Sequence, residues 1–191
     1  MQAGFGWGLF NFQNNVVEKK SFKLLSYTVE GDFFYSFILK YRIPDKNFRF
    51  KGEYYFAEIQ GTGRIIDINP AENSQPLFVR TENSLVSFAL GLEYVVDGGK
   101  LSPYFGLDML MGIFDDAQIS YFDQKRGQIT KIFPSKTRMG LGINAGINYE
   151  LLQSINLDLN FQYSSLNLLG KEDYEDNILT TDISLLFLFI L

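Results

Sequence analysis

Residues 138 to 150 read RMGLGINAGINYE, with glycines at 140, 142 and 146. That spacing comes within one residue of the G-x-G-x-x-G dinucleotide fingerprint, which requires a strand before it and a helix after it in a βαβ unit. Here a turn and another alternating stretch follow instead. Read at period two, Gly140, Gly142, Asn144, Gly146 and Asn148 form a narrow polar stripe, and Met139, Leu141, Ile143, Ala145, Ile147 and Tyr149 form an apolar one. The segment is a strand with a small-residue face, and it is a poor phosphate loop.

The same alternation runs through the whole chain, and no long segment carries a 3.6-residue period. The first run, 2 to 12, sets Ala3, Phe5, Trp7 and Leu9 against Gly4, Gly6, Gly8 and Phe10. The second, about 32 to 43, sets Phe33, Tyr35, Phe37, Leu39 and Tyr41 against Asp32, Phe34, Ser36, Ile38, Lys40 and Arg42. After the turn PDKN (44 to 47), Phe48, Phe50, Tyr54 and Phe56 oppose Arg49, Lys51, Glu53 and Tyr55. The fourth run, near 85 to 95, places Phe88, Leu90, Leu92 and Tyr94 opposite Ser87, Ala89, Gly91 and Glu93. Asp97-Gly98-Gly99 is a strong turn signal. Beyond it Phe105, Leu107, Met109 and Met111 oppose Tyr104, Gly106, Asp108 and Leu110. The opening quotation is the sixth run. The seventh (155 to 164) alternates Ile155, Leu157, Leu159, Phe161 and Tyr163 with Asn156, Asp158, Asn160 and Gln162. The last, from about 179, alternates Ile183, Leu185, Phe187 and Phe189 with Asp182 and Ser184 before becoming apolar on both faces.

The links between runs are long (about 13 to 31, 58 to 84, 114 to 137 and 165 to 177) and short by turns. Antiparallel up-and-down strands would therefore put four long loops at one end, and the tight turns and both termini at the other. All five prolines fall in links or at a strand start, where no ladder hydrogen bond is lost. The expectation is a single all-β domain over residues 1–191, an eight-stranded antiparallel up-and-down barrel.

Composition narrows the chemistry. The chain has no histidine and no cysteine, which excludes Ser-His-Asp triads, His-metal and thiolate sites, and disulfide scaffolds. The formal net charge is −5, without the basic stripe that a nucleic-acid partner requires. No catalytic, metal or cofactor site is expected. No run approaches the roughly 20 apolar residues of a membrane helix, and the opening lacks the basic start of a signal peptide.

Residue size decides which face is inside. An eight-stranded barrel has an interior just wide enough for side chains to fill, so its inner face favours small residues. Of the 17 glycines, those at 4, 6, 8, 91, 106, 112, 140, 142 and 146 lie on the polar face. The bulk of the other face exceeds what eight strands can enclose. Phe5, Trp7, Phe37, Leu39, Phe50, Leu90, Leu107, Met109, Ile143, Leu159 and Phe187 are therefore expected to face lipid, with Tyr41, Tyr54, Tyr94, Tyr149 and Tyr163 as interfacial girdle residues. The competing expectation is a soluble, lipocalin-like carrier with the apolar face inside.

Over nearly its whole length, in GFGWGLF, YRIPDKNFRFKGEYYF (41 to 56), SPYFGLDMLMG (102 to 112) and GLGINAGINYELLQSINLDLNFQY (140 to 163), the chain resembles the small eight-stranded outer-membrane β-barrels, such as the transmembrane domain of OmpA, OmpX and the opacity proteins. The resemblance implies transmembrane insertion in the bacterial outer membrane, with lipid as an obligatory partner and the signal peptide already removed from this chain. It also implies a lumen closed to solutes. One departure stands out: many such barrels end in an aromatic residue read by the assembly machinery, whereas this chain ends in Leu191 with Phe189 two residues earlier. The enzymatic barrels of this membrane use histidine-containing sites, so this chain is not expected to be an enzyme.

The inward charges Lys40, Arg42, Arg49, Lys51, Glu53, Glu93, Asp108, Arg138, Asp158 and Asp182 are expected to pair across the lumen, because an isolated buried charge is costly. The aromatic and basic third link offers Tyr121, Phe122, Lys125, Arg126 and Phe133 as a contact surface. The functional expectation is a structural or interaction protein that presents loops, or that docks another envelope protein through its loops or its periplasmic end. Passive transport of small apolar molecules is the alternative.

Overall fold

The computed structural model describes residues 1–14, 22–67, 77–114, 117–123, 127–133, 136–170 and 177–191, and side chains for 1–11, 33–58, 84–114, 137–170 and 177–191. Its strands are β1 (Gln2–Asn14), β2 (Phe22–Arg42), β3 (Phe48–Asp67), β4 (Leu77–Val95), β5 (Leu101–Phe114), β6 (Ala117–Asp123), β7 (Gly127–Phe133), β8 (Lys136–Leu152), β9 (Ile155–Leu169) and β10 (Leu179–Ile190). Every pairing is antiparallel. Eight strands run in the order β3-β2-β1-β10-β9-β8-β5-β4, and a β3–β4 ladder from Phe48↔Tyr94 to Ile65↔Leu77 closes the ring. The result is a closed up-and-down barrel in which no edge strand is left unpaired. The tight turns and both chain ends lie together, with the Leu191 amide donating to the Met1 carbonyl at 3.0 Å.

Burial alternates with period two along the strands, as in β5, where Tyr104, Gly106, Asp108 and Leu110 are enclosed and Phe105, Leu107 and Met109 are exposed. The bulky apolar residues stand outside: Leu107 is 67% exposed and Leu90 65%. A belt of this kind is unfavourable in water and favourable in hydrocarbon, so the soluble carrier with an apolar interior is overturned. Aromatic rings reinforce the belt at the β1–β10 seam, where the Phe5 and Phe187 centroids are 6.3 Å apart and those of Trp7 and Phe187 5.9 Å. Near the turns, Tyr94 packs between Phe48 and Phe105 at 5.4 Å from each.

Inward glycines make room for large neighbours. A Cβ added at Gly4 would run into the Phe187 carbonyl oxygen and lie 2.6 Å from Leu188 Cδ2, and one at Gly6 would run into the Leu185 carbonyl oxygen and lie 2.6 Å from Leu186 Cδ2. These two leucines and Ile38 form a small enclosed apolar cluster. The terminal strand reads as apolar on both faces because its inner leucines fill the space that β1 vacates.

The expected loops differ most from the structure. The links expected at 13 to 31, 58 to 84 and 114 to 137 are largely strand: β2 has 21 residues, β3 20 and β4 19, and the third link carries the β6–β7 hairpin. A tilted strand needs only about 9–11 residues to cross the bilayer. The long strands therefore continue well past it on the loop side. Beyond the bilayer no hydrocarbon enforces an apolar stripe, and the backbone ladder continues, as between β3 and β4 from Glu58↔Ser84 to Ile65↔Leu77.

Candidate functional site

The lumen holds two layers of different chemistry. Toward the turns, charged residues from several strands converge. Lys40 Nζ lies 2.9 Å from Asp158 Oδ2 and 3.3 Å from Glu93 Oε1. Arg49 Nε donates to Glu93 Oε2 at 2.5 Å, and its Nη2 is 3.8 Å from Asp158. Lys51 reaches Asp108 at 2.7 Å and Glu53 at 3.2 Å. All seven side chains are buried.

Neutral groups complete the network. Asn144 donates to Asp108 at 2.7 Å and Asn148 to Asp158 at 3.1 Å, while the Tyr104 hydroxyl donates to the other Asp158 oxygen. The Tyr104 ring lies under both Lys40 Nζ, at 4.4 Å from its centroid, and the Arg49 guanidinium, at 4.7 Å. These ion pairs and hydrogen bonds make several buried charges tolerable, although Asp108 Oδ1 and Asn144 Oδ1 accept no hydrogen bond. Tyr104 and these asparagines were not among the sequence candidates for the site. Their signal was present in the parity of the strands, since each sits on the same face as the charges.

Three sequence candidates take other positions. Arg42 is not in the lumen: it is the last residue of β2, where the barrel opens, and its exposed guanidinium pairs with Asp97 in the neighbouring turn at 3.3 Å. Arg138 is buried near the start of β8, with Nη1 3.4 Å from the Thr137 carbonyl. Asp182 is buried on β10 and does not join the ion pairs around Lys40 and Lys51.

Toward the loops an aromatic and aliphatic cluster sits beside buried polar groups, among them Asp182, opposite Phe10 in the β1–β10 ladder, and Ser164 with Thr180, whose hydroxyls are 2.5 Å apart. Phe34 packs against Phe10 at 6.4 Å and against Tyr55 at 5.4 Å, with Ala57, Leu85, Leu110 and Leu166 enclosed. The outward candidates Phe5, Trp7, Phe37, Leu39, Phe50, Leu90, Leu107, Met109, Ile143 and Leu159 are exposed, and Phe187 is partly covered by Phe5 and Trp7.

Of the loop candidates, Tyr121 and Phe122 lie on β6 and Phe133 on β7, while Lys125 and Arg126 lie outside the described residues. The β6–β7 hairpin is attached to the extension of β4 through Arg80↔Ser120, Thr81↔Ile119 and Glu82↔Gln118. Among the described residues β7 pairs only with β6, so it forms the free edge of a sheet that stands beyond the barrel wall. No group of three or more acidic side chains that could hold a metal ion occurs among the described residues.

A family model described as an outer membrane protein beta-barrel domain matches residues 1–187. Among solved structures, Neisserial surface protein A is similar with a TM-score of 0.55 at 18% identity, covering 100% of this chain and 99% of that one. A major outer membrane protein from Thermus thermophilus has a TM-score of 0.54 at 10% identity, covering 97% and 99%. Ail, the attachment invasion locus protein of Yersinia pestis, has a TM-score of 0.49 at 15% identity, covering 98% and 97%. No curated protein sequence matches the chain.

Proposed function

This chain belongs to the outer-membrane protein β-barrel family, and on that premise we propose that it is a structural and interaction protein of the bacterial outer membrane. The barrel is the anchor, and the sheet that continues from β2, β3 and β4 through the β6–β7 hairpin is the surface it presents. The observation that carries this reading is the contrast between the two ends. The lumen is filled by an ion-paired layer and an aromatic layer, whereas the loop side extends ordered backbone beyond the wall to a free edge.

A free edge strand offers a row of unpaired N–H and C=O groups to an extended segment of another protein. The sequence around it, FDQKRGQITKIF (122 to 133), adds positive charge and aromatic residues. Tyr121, Phe122, Lys125, Arg126 and Phe133 are the contact residues of this reading, and another envelope or surface protein is the partner. Passive transport is disfavoured by the same filled lumen.

Deletion of residues 119–134 tests the proposal. The shortened barrel should still insert and keep its heat-modifiable gel mobility, and should lose the partner recovered by cross-linking the intact chain in whole envelopes. Partner recovery unchanged by the deletion would refute it.

A further inference from the structure

Among the strand glycines whose surroundings are described, Gly52 alone lies on the outer face of the barrel, between Leu39 of β2 and Leu90 of β4 in the two ladders that β3 makes. A Cβ added there would find only Leu90 Cδ2 within reach, at 3.9 Å. The apolar belt is thus interrupted by a notch with bare backbone at Gly52, a cavity of ≈ 780 Å³ walled by Leu39, Tyr41, Phe50, Leu90, Leu107 and Met109. All six walls are exposed, so the notch opens sideways from the barrel.

Depth fixes what surrounds it. Gly52 is in the first turn-proximal stretch of β3, which starts at Phe48. A strand rising about 3.3 Å per residue at a tilt of about 40° places it roughly 10–13 Å from the turn along the membrane normal, within the turn-side half of a hydrocarbon core about 30 Å thick. The short turns of outer-membrane barrels face the periplasm, so the notch lies at the level of the acyl chains of the periplasmic leaflet.

Shape decides between occupants. One membrane-protein wall packs closely on another through small residues that let the backbones approach. Here leucines flank the glycine across both ladders, and Phe50 and Tyr54 flank it along β3, so a second barrel meets a bulky rim before it reaches the floor. A flexible alkyl chain does reach it, and recovers the dispersion contacts that an unfilled notch forfeits. The volume is also within the range of about 300–1,000 Å³ found for ligand sites.

We propose that the notch holds one phospholipid of the periplasmic leaflet, with an acyl chain laid across Gly52 between Leu39 and Leu90. Tyr41, on the turn side of the wall, has the apolar ring and polar tip that suit the headgroup boundary. The bound lipid is a resident part of the barrel wall, distinct from the exchanging lipid around it.

Native mass spectrometry of the full chain, refolded in a non-ionic detergent with palmitoyl-oleoyl phosphatidylethanolamine added, tests the site. The parent should retain one phospholipid per barrel. Gly52→Leu fills the notch from an open, outward position, so it should fold with unchanged heat-modifiable mobility and lower the lipid-bound fraction about tenfold. Ala145→Leu adds bulk to the outward face of β8 and should leave retention unchanged. Equal retention by Gly52→Leu and the parent, no lipid retained by the parent, or equal loss in both variants would overturn the proposal. A parent dimer that Gly52→Leu dissolves would overturn it in favour of a second copy of the chain as the occupant.

Discussion

The Lys40 ammonium donates to the Asp158 carboxylate across 2.9 Å, although 118 residues separate the two in the chain. The contact spans the lumen from β2 to β9, and Asp158 also accepts from Asn148 and Tyr104. Removing one member of such a pair strands the others, so Asp158→Ala should cost about 3–5 kcal/mol. Replacing both by apolar residues, Lys40→Met with Asp158→Leu, should recover most of that loss, because the buried charges that remain there, Arg49 and Glu93, are still paired with each other. Urea titration of the inserted barrel, read by Trp7 fluorescence, measures both. A single variant as stable as the parent would show that the pair contributes nothing.

Glycines on opposite faces should respond oppositely to the same change. At Gly6 an added Cβ would run into the Leu185 carbonyl oxygen and lie 2.6 Å from Leu186 Cδ2, whereas at outward Gly52 the nearest atom is Leu90 Cδ2 at 3.9 Å. Gly6→Ala should therefore destabilise by about 1–3 kcal/mol through overpacking. Gly52→Ala should be neutral or stabilise by about 0.4–1 kcal/mol, through reduced freedom of the unfolded chain. The same unfolding titration decides, and equal effects at the two sites would contradict the assignment of inside and outside.

Hydrocarbon contact has its own signature at Leu107, which projects from the middle of β5 and is 67% exposed. An exposed leucine on a water-soluble protein tolerates arginine within about 0.5 kcal/mol. On the lipid face near the bilayer midplane the same change costs about 2–4 kcal/mol. Leu107→Arg should accordingly lower the folding free energy into phospholipid vesicles by that amount, while Leu152→Arg, beside a turn, should cost about 0–1 kcal/mol.

These contrasts also mark what the sequence could reveal. Inside the bilayer, hydrocarbon on one side and a crowded lumen on the other impose opposite demands on alternate residues, so Gly140, Gly142 and Gly146 oppose Leu141 and Ile143 in plain view. The charge pairs were legible only as a set: parity put Lys40, Arg49, Glu93 and Asp158 on one face, but which cation meets which carboxylate depends on barrel stagger. Arg42 shows the limit of parity, since the last inward residue of a strand reaches the rim and finds Asp97 there. Past the membrane the double constraint ends. The stretch EIQGTGRIID (58 to 67) then reads as a link although it continues β3 to Asp67.

Closure of the lumen gives a final prediction, because its two fillings are stacked in series. The intact barrel in a planar bilayer should show no resolved conductance. Phe34→Ala removes the ring between Phe10 and Tyr55 and should cost about 3–5 kcal/mol of stability. It should still leave the barrel closed, since Lys51 with Asp108 and Lys40 with Glu93 and Asp158 block the turn half. Lys51→Ala with Asp108→Ala opens part of the ionic layer alone and should likewise stay silent, as the aromatic layer persists. Combining the three changes should still leave the barrel closed, because Lys40 and Arg49 with Glu93 and Asp158 are untouched and fill the turn half. Steady channels in the unmodified protein would mean that the ion-paired layer rearranges in the membrane, and would favour the transport alternative over the structural reading.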